Sequence, residues 1–479
     1  MEPYSSIIRQ ENFIAGRWKS GPGEKLAVKD KYTGTLMAEV PQATEKDVDE
    51  AVEAASRAFG VLRAWSCGQR AEHIGRMRDA LCEKKEEFLR LIVAEAGKPI
   101  SYARAEVNRA VALLEHAQAE AVRLAGEVVP MDFSNGQGKT AFTRLFPVGP
   151  VLCVTPFNFP LNLALHKAAP AMAVGCPVIL KPSPHAPLTA LALTALFEQA
   201  GFPEGAISTF VCDNRVAEKA LLHDKVKMLS FTGSAGVGWR LKNLCGSKKV
   251  ALELGGNAAA IVDASADVAS AARSLAVGCF LYAGQVCIST QRIYVLEPVY
   301  DAFLDELLKQ AQNTGSGDPR NEKVINGPVI GAAGFERISS WVQDARGQGA
   351  VVLAGGEPYC AARNIYAPTL LTRVSPAMDV VAKEIFGPVA VVEKVKDFSE
   401  ACARVNDSRY GLQAAVFSDS HRNVKTAFER LEVGGVIVND IPGFRTDTMP
   451  YGGVKDSGLG REGVRYAMRE MTEPRLLVF

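Results

Sequence analysis

The chain has 479 residues, which is too long for one hydrophobic core and predicts two to four domains. Its 48% apolar and 22% charged residues are typical of a folded enzyme and exclude disordered, collagen-like and disulfide-scaffold proteins. With 54 basic and 53 acidic residues the net charge is +1, so neither nucleic acid nor a membrane surface is expected as a partner.

The segment from about Glu45 to Leu124 is predicted to be helical. The N-terminus, MEPYSSIIRQENFIAGRWKS, lacks the basic region and apolar run of a secretory signal, and no stretch of the chain has the roughly eighteen apolar residues of a membrane helix. Between about residues 45 and 124, apolar residues recur at three and four spacing, and Gly97 and Pro99 end one of the predicted helices. We therefore expect a soluble, cytoplasmic protein.

Strands and helices alternate after residue 150. The runs VLCV, PVILKPS, AISTFVCD and KMLSFTGS read as strands, with helical segments between them. This alternation predicts βαβ units around a parallel sheet, with ligands at the carboxyl ends of the strands. A second alternating region begins near Asn257 and includes NAAAIVD, RIYVLEP, VVLAGG, PVAVVEKV, AAVFSD and GVIVND. The sequence thus predicts two α/β domains.

Two loops after predicted strands carry polar groups. In FTGSAGVGWRLKNL, Ser234 is placed to begin a helix whose free N–H groups and dipole attract a phosphate. Gly233 and the glycines that follow do not form G-x-G-x-x-G, so a purely structural turn stays open. In TPFNFP, Asn158 lies between two prolines and offers an amide donor to a developing oxyanion, with a turn-capping role as the alternative.

A glutamate and a cysteine are the candidates for acid–base and nucleophilic chemistry. Glu253 is the only charged residue between Val250 and Asp263, so burial is expected to raise the pKa of its carboxyl group; a solvent-facing edge position stays open. Cys287 lies in the glycine-containing turn YAGQVCIST and is the candidate nucleophile, since a thiol is intrinsically reactive and nearby N–H groups can lower its pKa, whereas Cys279 fits the core. The ten cysteines include no CxxC pair, so neither a metal site nor a disulfide framework is predicted.

An ordered set of motifs resembles the aldehyde dehydrogenase superfamily. NFIAGRW, PFNFPL, KPS, FTGS, LELGGN, GQVC, EIFGPV, VIVND and PYGGVKDSGLGREG follow one another at family-like spacing across nearly the whole chain. The pattern is most similar to the lactaldehyde and semialdehyde dehydrogenase branch. The resemblance implies an α/β fold with two Rossmann-like domains, one for the cofactor (1–124 and 148–253) and one for catalysis (254–465). It also implies a small β oligomerisation element (125–147 and 466–479) that builds a homodimer or homotetramer.

The resemblance implies NAD(P)-dependent oxidation of a short, polar or acidic aldehyde to its carboxylic acid. Cys287 would attack the carbonyl carbon, and the Asn158 side chain and the Cys287 backbone N–H would hold the oxyanion. Hydride would then pass to the nicotinamide and leave a thioester. Covalent catalysis suits this reaction because it separates the loss of hydride from the attack of water. Glu253 would activate that water, so hydrolysis is favoured over transfer to coenzyme A.

The same resemblance assigns residues to the cofactor. Glu384 would bind the nicotinamide ribose, Lys181 would reach the adenosine ribose, and Ser234 would contact the pyrophosphate. The full predicted set is Thr155, Pro156, Phe157, Lys181, Ser183, Gly233, Ser234, Glu384 and Phe386. NAD-preferring members usually have Glu two residues after the proline of KP-x, where this chain has Pro184, so both NAD and NADP stay open.

The predicted substrate-binding residues are Arg109, Phe159, Asn162, His166 and Arg445. Arg109 falls where non-phosphorylating glyceraldehyde-3-phosphate dehydrogenases carry an anion-binding arginine, but Val286 replaces their second arginine, which disfavours a phosphorylated aldehyde. Asn162 and His166 lie where aromatic residues serve fatty or aromatic aldehydes, which favours a short polar substrate. Arg445 either supplies a second charge or is a solvated loop arginine.

Two other interpretations stay open from the sequence. In the first, the chain keeps the fold as a non-catalytic structural or binding protein, an interpretation that Cys287, Glu253 and Asn158 together disfavour. Cofactor-free hydrolysis of esters or thioesters is the second, as a side activity of the same thiol and glutamate.

Overall fold

The computed structural model describes residues 4–479, in which four strands and then four helices precede a longer region of alternating strands and helices. The α-helices are α1 (Glu45–Leu62), α2 (Cys67–Glu83), α3 (Lys85–Ala96), α4 (Ile100–Ala121), α5 (Asn162–Val174), α6 (Leu188–Gln199), α7 (Asn214–Leu222), α8 (Ala235–Leu244), α9 (Val268–Phe280), α10 (Tyr300–Gln312), α11 (Ala332–Gly347), α12 (Asp379–Ala382), α13 (Phe398–Asn406), α14 (His421–Arg430) and α15 (Val464–Glu470). No helix within residues 4–479 is long and apolar enough to cross a membrane.

The strands fall into several sheets. They are β1 (Asn12–Ile14), β2 (Arg17–Lys19), β3 (Lys25–Lys29), β4 (Leu36–Pro41), β5 (Val128–Val129), β6 (Ala141–Pro147), β7 (Val151–Val154), β8 (Val178–Lys181), β9 (Ile207–Thr209), β10 (Met228–Thr232), β11 (Lys249–Glu253), β12 (Ala259–Val262), β13 (Arg292–Leu296), β14 (Val351–Ala354), β15 (Pro358–Cys360), β16 (Ile365–Tyr366), β17 (Thr369–Thr372), β18 (Val389–Val395), β19 (Tyr410–Gly411), β20 (Gln413–Phe417), β21 (Gly435–Val438), β22 (Val454–Lys455), β23 (Gly458–Leu459) and β24 (Thr472–Val478).

The first large sheet has eight strands in the order β2-β1-β9-β8-β7-β10-β11-β23. Strands β9 to β11 run parallel, and β1 and β23 add antiparallel pairings at the two sides. The central strands are short apolar runs such as VILK, buried along their whole length, as is typical of parallel strands covered by helices on both faces. The prediction of a parallel sheet after residue 150 is confirmed.

The second large sheet has seven strands in the order β14-β17-β18-β13-β12-β20-β21. All neighbours from β17 to β21 are parallel, and β14 alone pairs antiparallel, at the edge. The α/β class and the second alternating region are therefore as predicted. The pairing of β23 with β11 was not predicted, and it brings a segment from near the C-terminus back to the first sheet beside Glu253.

A separate three-stranded antiparallel sheet has the order β24-β6-β5. β24 pairs with β6 along its whole length, from Thr472 opposite Pro147 to Val478 opposite Ala141. Several apolar side chains on and around this sheet are exposed, namely Val128, Phe133, Phe142, Leu476, Leu477, Val478 and Phe479. The sheet thus presents apolar surface that the single chain does not cover.

Candidate active site

One cavity of about 520 Å³ brings together most of the predicted site residues. Its walls include the loops that follow β7, β10 and β11, so three carboxyl ends of parallel strands meet there, where α/β proteins bind ligands. The second half of the chain supplies the opposite wall. The predicted residues that line the cavity are Arg109, Pro156, Phe157, Asn158, Phe159, Asn162, His166, Gly233, Ser234, Glu253, Cys287, Glu384, Phe386 and Arg445.

Cys287 lies in a tight loop between α9 and β13. The loop begins with a 3-10 turn in which Gly284 has a φ of +67°, and a Cβ there would lie 2.0 Å from the carbonyl oxygen of Gly387, so only glycine fits. The thiol is half-buried, and its Sγ lies 3.1 Å from the hydroxyl of Tyr451. By contrast, the competing Cys279 is fully buried in the core, as expected.

The pKa of the Cys287 thiol is not lowered in this loop. Burial raises the pKa of this thiol to about 12, and the hydrogen bond from Tyr451 opposes that rise only in part. The carboxyl groups of Glu384 and Glu253 in the same cavity raise the pKa further. The sequence suggested N–H groups around the sulfur, but it did not reveal that the loop partly buries the sulfur.

Glu253 is the last residue of β11 and is only 5% exposed. Because β11 lies between β10 and β23, the solvent-facing edge position is wrong. Burial, and after it the nearby charge of Glu462, raise the pKa of Glu253 well above its usual 4.5. Its Oε2 has no hydrogen-bond partner within residues 4–479, so a carboxyl oxygen in the cavity wall is free to take a ligand or a proton.

Asn158 follows β7 and is buried beside the cysteine loop. Its Nδ2 donates a hydrogen bond of 2.9 Å to the carbonyl oxygen of Gln285, two residues before Cys287. Gln285 is itself buried and held by Pro328 and Ile330. The amide therefore bridges to the cysteine loop instead of capping its own turn, and one N–H of Nδ2 remains for a ligand.

One wall of the cavity contains two arginines, each paired with a buried carboxylate. Arg109 donates to Oδ1 of Asp447 at 2.7 Å, and Arg445 donates to Oε2 of Glu462 at 3.1 Å. Arg445 is buried and stacks over the ring of Tyr451, with 3.6 Å between the guanidinium carbon and the ring centroid, so the interpretation as a solvated loop arginine is wrong. The Nε atoms of both arginines are buried without a hydrogen-bond partner in the described chain.

His166 lies between the two arginine–carboxylate pairs. Its Nε2 is 3.0 Å from Oδ1 of Asp447, and its Nδ1 is 3.4 Å from a guanidinium nitrogen of Arg445. Burial, together with the charge of Arg445, lowers the pKa of His166 to about 4, so the ring is neutral at pH 7. Although Nε2 lies close to the carboxylate, it forms no hydrogen bond within residues 4–479.

The first residue of α5 adds an amide to the same wall. Neither polar side-chain atom of Asn162 has a hydrogen-bond partner within residues 4–479, although the residue is buried. Phe159, one turn earlier, lies beneath the ammonium group of Lys98, with 3.4 Å between Nζ and the ring centroid. Unsatisfied buried amides are rare, so the side chain of Asn162 is available to a polar ligand.

The other end of the cavity gathers the residues expected to hold the cofactor. Ser234 is the N-cap position of α8, and the first turn of that helix faces the cavity. Glu384 accepts a hydrogen bond of 3.1 Å from the backbone N–H of Gly256, and burial raises its pKa to about 7. The rings of Phe157 and Phe386 meet edge to face with centroids 5.9 Å apart.

Three predicted cofactor residues do not line this cavity. Lys181, at the end of β8, lines a smaller cavity of about 50 Å³ beside α7 and α8. Thr155 and Ser183 line neither cavity. The backbone N–H of Thr155 donates a hydrogen bond to the carbonyl oxygen of Lys181. Oγ of Ser183 accepts a hydrogen bond from the backbone N–H of His185 at 3.2 Å.

The sequence reasoning missed several residues of the site. Tyr451, Asp447 and Glu462 all come from the segment between β21 and α15, and Lys167 on α5 pairs with Glu462 at 2.8 Å. Burial raises the pKa of Glu462, but the charge of Lys167 and the other cations around it outweighs burial and lowers the pKa to about 2. The signal was present in PYGGVKDSGLGREG, which contains Tyr451 and Glu462 but to which no role was given.

The chain is similar to known proteins over nearly its full length. Residues 18–477 match the model of the aldehyde dehydrogenase family. The 3-sulfolactaldehyde dehydrogenase of Priestia aryabhattai is 41% identical over 468 residues, 97% of each chain. Aldehyde dehydrogenase 21 from Physcomitrella patens, solved in complex with the reaction product succinate, has a TM-score of 0.95 and 39% identity over 98% of each chain. Glyceraldehyde-3-phosphate dehydrogenase from Methanocaldococcus jannaschii, complexed with NADP, has a TM-score of 0.91 and 35% identity, covering 96% of this chain and 100% of that one.

Proposed function

The chain belongs to the aldehyde dehydrogenase family, and on this premise we propose that it oxidises a short aldehyde with an anionic end group through Cys287. It is an NAD- or NADP-dependent enzyme of the lactaldehyde and semialdehyde dehydrogenase branch that acts on a polar aldehyde. The main support for the finer proposal is that one cavity brings together the thiol of Cys287, the amide of Asn158, the carboxyl group of Glu253 and, among its arginines, Arg109 and Arg445.

The proposed reaction begins with the sulfur of Cys287. The ionised sulfur forms a bond to the aldehyde carbon, and the free N–H of Asn158 Nδ2 donates to the resulting oxyanion. Loss of hydride from that carbon leaves a thioester. Glu253 then takes a proton from a water molecule, the water oxygen adds to the thioester carbon, and the carbon–sulfur bond breaks to release the carboxylic acid and the cysteine sulfur.

The cavity fits a nicotinamide dinucleotide. The N-terminus of α8 turns unpaired N–H groups and the positive end of its dipole toward the cavity at Ser234, which suits a pyrophosphate. A Cβ on Gly255 would lie 2.1 Å from Oε2 of Glu384, so glycine leaves room for a carboxylate that suits ribose hydroxyls. Lys181 in the smaller cavity suits the adenosine ribose or a 2′-phosphate. When bound, NAD or NADP accepts the hydride.

The end group of the substrate is proposed from the arginine wall. Arg109 and Arg445 are already neutralised by Asp447 and Glu462, yet both keep an unpartnered Nε. Asn162 adds an unpartnered amide to the lining of the same cavity. A single carboxylate or sulfonate matches these donors, and two of the three relatives named above are named for a sulfonated aldehyde or bind succinate, whereas the third is named for a phosphorylated aldehyde.

A shared sheet is the proposed subunit contact. The antiparallel sheet of β5, β6 and β24 exposes apolar side chains, among them Val128, 82% exposed, and Leu477. Such surface on a soluble enzyme suits a second copy of the chain in a homodimer or homotetramer. In this proposal, residues 125–147 and 466–479 form the oligomerisation element, 1–124 with 148–253 bind the cofactor, and 254–465 carry the catalytic cysteine.

The test is nicotinamide reduction by the purified full chain. The panel contains 3-sulfolactaldehyde, succinic semialdehyde, lactaldehyde, propanal and glyceraldehyde 3-phosphate, each with NAD and with NADP. Cys287→Ser is compared with Cys82→Ser, which changes an exposed thiol. We expect turnover to vanish only in Cys287→Ser, and kcat/KM to be highest for the sulfonated and carboxylated aldehydes.

Two results would overturn the proposal in different ways. Turnover that survives in Cys287→Ser would remove the thiol from the mechanism. A preference for propanal over every anionic aldehyde would leave the thiol in place but remove the anion-binding role of the arginine wall.

A further inference from the structure

The hydroxyl of Tyr451 lies beside the proposed nucleophile. Tyr451 is 2% exposed, and its oxygen is 3.1 Å from Sγ of Cys287. Within residues 4–479, Sγ forms no other side-chain hydrogen bond. While the sulfur carries its proton, either atom can donate, but an ionised sulfur can only accept, so the hydroxyl must then be the donor.

The ring of Tyr451 is held on two sides. Its backbone N–H donates to the carbonyl of Glu462 at 3.0 Å, and the backbone N–H of Glu462 donates back at 2.7 Å. Arg445 covers the ring face, and the guanidinium is fixed in turn by the Glu462 carboxylate. A cation at 3.6 Å from the ring centroid strengthens the hydroxyl as a donor, because it stabilises negative charge that moves onto the phenol.

This geometry matters because the sulfur is only partly exposed to water. Glu253 and Glu384 line the same cavity, so negative charge on the sulfur is disfavoured from two sides as well as by burial. The positive or donor groups that act on it are Arg445 and the Tyr451 hydroxyl. A hydrogen bond to the charged form is the contact best able to offset that cost.

We propose that Tyr451 is a further catalytic residue, whose hydroxyl donates a hydrogen bond to the ionised sulfur of Cys287 and orients it for attack on the aldehyde. The inference rests on the proposed nucleophilic role of Cys287. Tyr451 keeps its own proton throughout, and the proton that leaves the thiol on ionisation passes to water. Loss of the hydroxyl therefore weakens ionisation of the sulfur without removing any group that contacts the substrate end group.

The experiment measures how fast iodoacetamide alkylates Cys287 as a function of pH, in the full chain without cofactor. Peptide mass analysis follows the Cys287 peptide, so exposed thiols such as Cys67 do not interfere. Tyr451→Phe removes the oxygen and keeps the ring under Arg445, and Tyr359→Phe makes the same chemical change at an exposed site. We expect alkylation near neutral pH to be about ten- to hundredfold slower in Tyr451→Phe than in wild type. The rise of the alkylation rate with pH should be shifted to higher pH than in wild type.

Each outcome decides one point. A Tyr451→Phe profile that coincides with wild type and Tyr359→Phe overturns the role of Tyr451, even if Cys287→Ser is inactive. Active Cys287→Ser overturns the proposed function itself. Tyr451→Met is the second variant, because it removes the ring as well. Slow alkylation in Tyr451→Met with normal alkylation in Tyr451→Phe would assign the effect to the ring and overturn the proposal.

Discussion

Lys98 and Glu106 form an ion pair in which neither side chain reaches solvent. The second carboxylate oxygen of Glu106 accepts hydrogen bonds from the backbone N–H groups of Leu161, at 3.0 Å, and Asn162, at 3.1 Å. A carboxylate at the start of α5 also interacts favourably with the helix dipole. The pair thus connects α4 to the start of the helix that brings Asn162 and His166 to the cavity wall.

Loss of one partner of this pair should be costly. In Lys98→Met, Glu106 remains buried without its counter-charge, which typically destabilises a protein by about 3–5 kcal/mol. We expect the thermal unfolding midpoint to fall clearly below that of Lys46→Met, which changes an exposed lysine. The double variant Lys98→Met/Glu106→Gln should recover part of the loss. Equal midpoints for Lys98→Met and Lys46→Met would show that the pair contributes little.

The arginine wall predicts a substrate-selective effect for Arg109. Arg109→Ala should lower kcat/KM for an anionic aldehyde about ten- to hundredfold, as expected for loss of a charge-assisted hydrogen bond. The kcat/KM for propanal should change little. Arg104→Ala is the matched control, since Arg104 is on the same helix but pairs with Glu322 at the surface. An equal loss with both aldehydes in Arg109→Ala would mean that the side chain supports the fold of the site and not the end group.

The burial of His166 predicts a contribution to acid sensitivity. Its pKa is lowered from about 6.5 to about 4, so the unfolded chain binds the proton more readily than the folded chain between these values. The resulting loss of stability is absent above about pH 6.5 and grows as the pH falls to about 4, where it is on the order of 3 kcal/mol. His166→Gln should therefore show a smaller drop in the unfolding midpoint between pH 7 and pH 4.5 than wild type. His116→Gln, at a histidine with no such burial, serves as the control, and parallel curves for all three proteins would contradict the prediction.

Lys181 predicts how the two cofactors are distinguished. Its ammonium group is mostly buried and lines the smaller cavity, and Pro184 replaces the carboxylate that would repel a 2′-phosphate. Lys181→Met should raise the KM for NADP about tenfold or more, because the phosphate loses a charged partner, and should raise the KM for NAD much less. Steady-state titration of both cofactors measures this, with the exposed Lys242→Met as control. Equal changes for NAD and NADP would place the 2′-phosphate elsewhere.

The sequence predicted the parts of the site that local patterns carry. Cys287, Glu253 and Asn158 each lie in a loop or at a strand end that could be recognised from a few neighbouring residues, and all three line one cavity. Tyr451 and Asp447 received no role, because their segment reaches the cavity through pairings between distant elements, among them β23 with β11 and β22 with β19. The raised pKa of Cys287 could not be predicted for a related reason, since burial of the sulfur depends on contacts between elements far apart in the chain.

Glu253 predicts a separation of the two halves of the reaction. Glu253→Gln cannot take a proton from water, so steady-state turnover should fall about 10²- to 10⁴-fold, whereas the first equivalent of reduced nicotinamide should still form in a burst. In wild type, turnover should rise with pH above 4.5 as the carboxyl group loses its proton, because its pKa is raised by burial and by Glu462. Glu253→Gln should lack this rise.

Stopped-flow absorbance of reduced nicotinamide measures burst and steady state together, with the exposed Glu297→Gln as control. Loss of the burst along with turnover would mean that Glu253 acts before the thioester forms, as a base for the Cys287 thiol, and would move its role from hydrolysis to activation of the nucleophile.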